Sequence, residues 1–96
     1  MRIAKVVGVA VATVKGQKLE GGKLLLVAEA EPTGAATGQP FVALDTVGAG
    51  DGELVLVVDG SSARTAAGDV SRPVDAVIVG ILDSLRLDGQ MTYKKS

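Results

Sequence analysis

The stretch that decides the fold is DTVGAGDGELVLVV, residues 45–58. Its first half carries three glycines, at positions 48, 50 and 52. Its second half, from Glu53 to Val58, alternates leucine and valine, which is typical of a β-strand. The stretch therefore predicts a tight turn, with positive φ at one or more glycines, that leads directly into a strand.

The segment 45–51 also resembles the anion-binding signature of ribokinase-like sugar kinases, in which the closing Asp, here Asp51, is the general base. In that site the glycines must open a helix, because the helix N-terminus supplies aligned N–H groups and the positive end of the dipole. A strand follows here instead, and 96 residues are too few for a nucleotide-binding sheet with a sugar lid. The spacing Gly48-x-Gly50-x-Gly52 also departs from the dinucleotide motif. The sequence therefore argues against a kinase or nucleotide-binding function.

The composition indicates one small β-rich domain, residues 1–96. The chain is 47% hydrophobic but only 2% aromatic, with 13 glycines, which suits short strands joined by turns. So much apolar content in a small chain indicates that some apolar surface faces a neighbouring subunit. The net charge of −1 shows no excess of positive charge of the kind that binds nucleic acid or an anionic membrane. Without Cys or His, disulfides and the usual zinc sites are excluded, a cytosolic protein fits, and we expect no cofactor.

The N-terminus, MRIAKVVGVAVATV, residues 1–14, permits two interpretations. Basic residues, an apolar run and Ala10-Val11-Ala12 resemble a signal peptide, although cleavage after Ala12 would leave it shorter than the usual ~15–30 residues. The run is β-branched and places large residues at odd positions and small ones at even positions. We therefore favour a first strand, Arg2–Val14, packed on both sides. No stretch of the sequence is long enough to span a membrane.

Further strands are predicted at four places: Lys23–Glu31, Phe41–Asp45, Glu53–Asp59 and Val74–Asp83. They are separated by turn-rich loops, of which 15–22 and 32–40 are the longest. In the first of these strands, Leu24, Leu26, Ala28 and Ala30 share the face opposite Lys23, Glu29 and Glu31.

Residues 60–68 predict a helix of at most two turns, with Ser61 or Ser62 as N-cap and Gly68 as its end. The segment 84–96 predicts a terminal arm or hairpin that turns at Asp88-Gly89. Five strands with one short helix before the last predict an all-β fold, a small five-stranded OB-like β-barrel. Its core would be residues 1–83 and its C-terminal arm residues 84–96.

Four strings together resemble a known family: IAKVVGVAVATVK (3–15), LEGGKLLLVAE (19–29), TGQPFVALDTVGAGDGELVLVVDGSSAR (37–64) and PVDAVIVGILD (73–83). In this order they are similar to the vertex proteins of bacterial microcompartments, the ethanolamine-utilisation and carboxysome vertex family. The resemblance runs from Met1 to Asp83. Asp51 is a less usual residue after the GAG turn, and the tail beyond Asp83 matches no pattern that we can place, so it leaves the type of shell open.

This resemblance implies a non-enzymatic structural protein with a five-stranded OB-like barrel. Five copies would form a homopentamer around a narrow central opening, at the five-fold corners of a cytoplasmic shell whose flat faces are hexameric shell proteins. Gly48, Ala49 and Gly50 would lie at the central opening, where large side chains from five subunits would collide. Their N–H groups would then favour a small anion in the opening.

Candidates for the subunit interface are Asp45, Ser61, Ser62 and Arg64. We expect Asp45 mainly to accept hydrogen bonds from loop N–H groups, while Arg64, among small residues, suits a fork-shaped contact with the next subunit. Asp75 and Asp83 are interpreted as solvated strand ends. Lys94 and Lys95 are interpreted as a solvated tail, with contact to neighbouring shell tiles or cargo as the alternative.

Two other classes of function compete with a shell protein. An OB-like module that binds nucleic acid or a small ligand would need stacking aromatics and a basic groove, and the only rings are Phe41 and Tyr93. An enzyme would need acid–base groups at a suitable spacing, and no carboxylate pair is convincingly placed. We favour the shell protein, with the OB-like binding module as the alternative.

Overall fold

The computed structural model describes residues 1–12, 23–68 and 75–96. Within them the chain forms seven strands and one helix. In chain order these are β1 (Arg2–Val9), β2 (Lys23–Glu29), β3 (Phe41–Asp45), β4 (Leu54–Asp59), α1 (Gly60–Ala66), β5 (Ala76–Ile81), β6 (Ser84–Leu87) and β7 (Gln90–Lys94).

Five of the strands close into a barrel in the order β1-β2-β3-β5-β4. β1 closes the sheet because it pairs antiparallel with β2 on one side and with β4 on the other. β3 and β5 pair in parallel, and α1 is the connection that brings the chain from β4 to β5. Full closure removes exposed sheet edges. The predicted OB-like barrel with a short helix before its last core strand is confirmed.

Branched and small side chains fill the barrel. Val6, Leu25, Val27 and Val57 are each 1% exposed or less, and each such side chain contributes about 1.5–3 kcal/mol on burial. Alanines at inward positions, such as Ala43, keep the interior narrow enough for a five-stranded barrel. The inward face of β2 is therefore the one that carries Leu25 and Val27, and the leucine and alanine face expected from the sequence is the outer one.

The helix α1 covers part of the outer surface. Ala63 is fully buried against Leu44 of β3 and Val77 of β5. Its methyl group is small enough to bring the helix backbone close to the sheet. Leu24 of β2 packs partly against the same cluster, so the outer leucines at this end are covered by the helix.

The first strand is shorter than the sequence predicts. It ends at Val9, and its last hydrogen bond to β2 runs from the Ala10 N–H to the Leu24 carbonyl at 3.1 Å. A bulge between Val6 and Gly8 shifts the register, so the odd–even alternation does not map onto two faces along its whole length. The end of the predicted strand, residues 13–14, the loop 15–22 and the start of the fifth predicted strand at Val74 lie outside the described residues.

An ion-pair cluster closes one end of the barrel. The Arg2 guanidinium donates to both carboxylate oxygens of Asp59, at 3.0 Å from Nε and 2.8 Å from Nη2, and reaches Glu29 at 3.5 Å. It also lies 4.3 Å from the centre of the Phe41 ring. The cluster therefore ties together the ends of β1, β2, β3 and β4.

The C-terminal arm is a hairpin of β6 and β7. Its two-residue turn has positive φ at both Asp88 (53°) and Gly89 (78°), the conformation that suits a tight antiparallel connection. The hairpin predicted at Asp88-Gly89 is therefore present. The division into one domain with a core of 1–83 and an arm of 84–96 stays a prediction.

Candidate functional site

The glycine loop, residues 46–53, joins β3 to β4 and is fixed to the barrel at both of its ends. The Thr46 hydroxyl donates to the Ile78 carbonyl at 2.7 Å. At the far end, the Gly52 N–H donates to the Val6 carbonyl at 2.9 Å, and the Val6 N–H donates to the Glu53 carbonyl at 3.0 Å. The loop is therefore held between β5 and β1, across one end of the barrel.

Asp45 organises the first part of the loop. One carboxylate oxygen accepts hydrogen bonds from the N–H groups of Val47 at 3.0 Å and Gly48 at 3.1 Å. The other oxygen accepts from the Ala49 N–H at 2.9 Å. Bonds to an ionised acceptor are stronger than neutral ones, so a single side chain sets three successive peptide groups. The predicted turn-stabilising role of Asp45 is confirmed.

Glu53 organises the second part. Its Oε1 accepts from the Gly50 N–H at 2.6 Å, and its Oε2 lies 2.9 Å from the Lys95 ammonium. Lys95 and, to a smaller extent, the Gly50 N–H hold the pKa of Glu53 below its ordinary value, while Glu53 raises the pKa of Lys95. Lys95 is exposed, as interpreted from the sequence, but it is not a loose tail residue, because the arm brings its ammonium to Glu53 of the loop.

The expected anion affinity of the loop is also wrong for these N–H groups. Four successive amides, from Val47 to Gly50, already donate to the carboxylates of Asp45 and Glu53. An amide that donates to an internal carboxylate has no second hydrogen to offer to a solute. The loop therefore presents carboxylate-bound peptide groups and the exposed Asp51 rather than an anion-binding nest.

The three residues assigned to a central opening differ in exposure. Gly48 is exposed, has a φ of 79°, and has open space where a side chain would begin. Ala49 is 3% exposed and its methyl group belongs to the barrel core, so at an opening only its backbone is available. At Gly50, a Cβ would lie 3.3 Å from Glu53 Oε1.

The helix residues lie differently from what the sequence suggests. The N-cap of α1 is Asp59, without a side-chain capping bond, because its carboxylate is bound to Arg2. Ser61 and Ser62 lie exposed in the first turn, so the expectation that one of them is the N-cap is wrong. Arg64 is half-buried in the last turn, where its charge is favourable with the negative end of the helix dipole.

An exposed apolar surface lies on the outer side of β1, β2 and β3. It consists of Val7, Leu26 and Val42, named here the valine face, with Gly8 paired to Leu26 and Leu26 paired to Val42 across the strands. Val7 is 45% and Val42 46% exposed. Leu26 lies on the same side of β2 as Leu24, which α1 covers. The valine face therefore continues the outer surface that α1 covers at Leu24, but α1 does not cover the valine face itself.

Metal clusters and membrane-spanning helices are both absent from the part of the chain that the structure describes. Among residues 1–12, 23–68 and 75–96, no three His, Cys, Asp or Glu side chains are grouped to hold a metal ion. In the same residues, no helix is long and apolar enough to cross a membrane.

Comparison with known proteins assigns the chain to a family. Residues 1–83 match the family described as ethanolamine utilisation protein EutN/carboxysome. The chain belongs to this family. A curated relative, the bacterial microcompartment shell vertex protein EutN of Escherichia coli K12, is 44% identical over 99% of this chain and 100% of its own length.

Solved structures of the EutN/carboxysome family have the same fold. A structure of the ethanolamine utilization protein EutN superposes with a TM-score of 0.91 at 44% identity, covering 100% of both chains. The pentameric microcompartment shell protein GrpN of Rhodospirillum rubrum gives a TM-score of 0.79 at 42% identity, covering 91% of this chain and 99% of its own. The resemblance to microcompartment vertex proteins is therefore confirmed, and these relatives are named as shell proteins rather than enzymes.

Proposed function

We propose that this chain is a structural shell protein, without catalytic activity, that forms homopentamers at the five-fold vertices of a bacterial microcompartment or carboxysome shell in the cytoplasm. The observation that carries the proposal is the end-to-end match to the vertex protein EutN, at 44% identity and a TM-score of 0.91. The match covers the whole chain, so the strands and the helix that carry the outer surfaces have the same arrangement as in that protein.

The geometry of a closed shell gives such a pentamer its role. Hexagonal tiles lie flat, so a shell of hexameric proteins can close only where five-fold units interrupt the tiling. The proposed partners are accordingly four more copies of the chain and the hexameric shell proteins around them. A ring of identical subunits uses two different surfaces of each subunit for its contacts.

The valine face is one of these surfaces in our proposal. Val7 and Val42 are about half exposed, and contiguous exposed apolar surface favours association. Gly8 lacks a side chain beside Leu26, which lets a neighbouring backbone approach closely. We assign Asp45, Ser61, Ser62 and Arg64 to the interface as polar contacts: the serines are exposed on α1, and the Arg64 guanidinium can form a two-pronged bond.

The glycine loop would surround the central opening. Its residues 48–50 are small and its backbone is fixed by two carboxylates, which suits a place where five copies converge without side chains in the way. Since the Ala49 methyl group is in the core, the opening is lined by backbone. Gly48 has open space where a side chain would begin, but its φ of 79° makes any other residue strained there.

The alternative, an OB-like binding module, is not favoured. Binding of single-stranded nucleic acid in such barrels needs exposed rings for base stacking. The Phe41 ring is covered by the Arg2 guanidinium, and the Tyr93 ring packs against Gly34. Both aromatic side chains of the chain are therefore used within the fold.

Shell closure tests the proposed role. Hexameric shell proteins of one microcompartment would be expressed with and without this chain, and the particles imaged by electron microscopy. We expect closed polyhedra only when the chain is present, with its density at the corners. Open sheets or tubes in both preparations, or density confined to the flat faces, would contradict a vertex role.

A further inference from the structure

The C-terminal arm returns to the barrel and contacts the glycine loop. The Lys95 ammonium lies 2.9 Å from Glu53 Oε2. The backbone that carries it is fixed as well, because the Lys95 N–H donates to the Asp83 carbonyl at 2.8 Å. The side chain therefore starts from an anchored position and is not the end of a loose tail.

Glu53 connects this arm to the loop. One of its oxygens accepts the Gly50 N–H at 2.6 Å and the other faces Lys95. Its own backbone is fixed too: its N–H donates to the Gly50 carbonyl at 3.2 Å and its carbonyl accepts from the Val6 N–H at 3.0 Å. The series of contacts Lys95–Glu53–Gly50, named here the arm tether, thus runs from β7 to the loop.

The charges make the two contacts of Glu53 depend on each other. Only 20% of its side chain is exposed, and a largely shielded carboxylate requires partners for both oxygens. Lys95 supplies the counter-charge and is itself flanked by Asp83 and Tyr93. Without Lys95, the carboxylate would turn toward water and weaken its bond to Gly50.

We propose that Lys95 is a positioning residue for the glycine loop: through Glu53 it holds the Gly50 amide, and with it the part of the loop assigned to the central opening. The arm is then a brace for the opening. The role at an opening rests on the proposed function, whereas the tether within one subunit does not.

Exchange of the Gly50 amide tests the tether. In full-length protein labelled with ¹⁵N-glycine, Lys95→Met should raise the hydrogen-exchange rate of the Gly50 amide several-fold. Lys94→Met, which removes the neighbouring exposed ammonium, should leave that rate unchanged. The Gly48 amide is an internal control in each sample, because it donates to Asp45 and not to Glu53.

The pH dependence of the Gly50 amide chemical shift distinguishes the tether from a general loss of structure, which would not change the pKa of Glu53 specifically. The Gly50 amide shift should follow protonation of Glu53, with a midpoint below the carboxyl's ordinary pKa of 4.5 in the wild type. Lys95→Met should move that midpoint upward, because the positive charge that lowers the pKa of Glu53 is removed. In a Glu53→Gln background, Lys95→Met should cause no further change at Gly50.

Two results would overturn the proposal: equal effects of Lys94→Met and Lys95→Met, or an effect of Lys95→Met that persists in the Glu53→Gln background. The mass of each variant in solution shows whether the pentamer forms, so failure of the tether is distinguishable from failure of the proposed function. A monomeric wild type would remove the opening while leaving the tether testable in the monomer.

Discussion

Asp45 shows how one side chain determines the conformation of a whole turn. Its carboxylate accepts three successive N–H groups at 2.9–3.1 Å, and the last of them belongs to Ala49, whose methyl group plugs the end of the barrel. The hydrogen bonds of Asp45 therefore shape the loop and also position the Ala49 methyl group in the core.

Asp45→Ala should lower the free energy of unfolding by roughly 2 kcal/mol, because bonds to an ionised acceptor are lost and three amides must find water. Asp51→Ala, on the exposed side of the same loop, should change it by less than about 0.5 kcal/mol. Urea unfolding at one fixed protein concentration measures both, since assembly makes stability depend on concentration. Equal losses for the two variants would show that Asp45 is not the organising side chain.

At this scale the sequence predicts local interactions well and distant ones poorly. The bonds of Asp45 reach only two to four residues along the chain, which turn chemistry anticipates. Glu53 was interpreted only as the start of a strand, although a carboxylate three residues after Gly50 is a signal for a bond to that amide. Its pairing with Lys95 depends on the path of the arm, for which the sequence holds no local signal.

Among the elements, the arm contacts the body at Gly34 through Tyr93, in addition to the Lys95–Glu53 pair. Gly34 has a φ of 94°, and a Cβ there would lie 3.2 Å from a Tyr93 ring carbon. Tyr93 is the chain's one tyrosine and there is no tryptophan. Its fluorescence therefore reports on the packing of the hairpin alone.

Gly34→Ala should destabilise the protein by roughly 1–2 kcal/mol through backbone strain and should in addition displace Tyr93. Gly68→Ala is the matched control, since Gly68 also has positive φ, 84°, faces open space, and lies at the end of α1 rather than in the hairpin. Only Gly34→Ala should change the tyrosine emission of the folded protein. A change of equal size in both variants would contradict the contact.

The Arg2 cluster predicts how stability depends on pH. Its guanidinium holds the pKa of Asp59 below the ordinary value of 3.8. A carboxylate with a lowered pKa stabilises the fold above its ordinary pKa, and this stability is lost as the pH falls through the folded pKa. At neutral pH we expect Arg2→Met to cost about 0.5–1 kcal/mol, because the pair is partly exposed.

The loss of unfolding free energy caused by Arg2→Met has two parts. The part due to the ion pair should vanish in acid, below the folded pKa of Asp59, and the part due to packing on Phe41 should remain. Arg86→Met, a change of an exposed arginine on β6, serves as the control and should show no such pH dependence. Unfolding curves in urea from pH 7 downward measure the difference. A cost of Arg2→Met that is constant with pH would exclude the ion pair as its source.

The elements also show where sequence patterns stop being sufficient. β3 was predicted with the bounds observed, because turns flank a short apolar run on both sides. β1 was predicted too long, and for β2 the sequence indicated two faces without showing which one is inward. Both strands are apolar on both sides, so alternation does not distinguish the core from an outer contact. The N-cap was placed on a serine, whereas the helix begins at Gly60 and its N-cap is Asp59, the last residue of β4.

For the whole molecule, we expect assembly to cover the valine face, which is exposed on the separate subunit. Val42→Asp places a charge on the valine face, which the separate subunit tolerates because the position is 46% exposed. We expect the variant to fold, with a near-normal unfolding curve, but to associate at least tenfold more weakly. Sedimentation over a range of concentrations measures the association.

Leu87→Asp is the control for this prediction. Leu87 is 52% exposed but lies on the arm hairpin, away from the proposed contact, so its substitution should leave association unchanged. Equal weakening by Val42→Asp and Leu87→Asp would show that the valine face is not the specific interface.

The mass of the wild-type protein in solution tests the central claim most directly. Native mass spectrometry or light scattering at micromolar concentration should give a single species of about five times the 9.6 kDa subunit. Dilution should not produce a ladder of intermediate sizes, because a closed ring gains a contact that open chains lack. A clean monomer, or a defined assembly of any number other than five, would contradict the account.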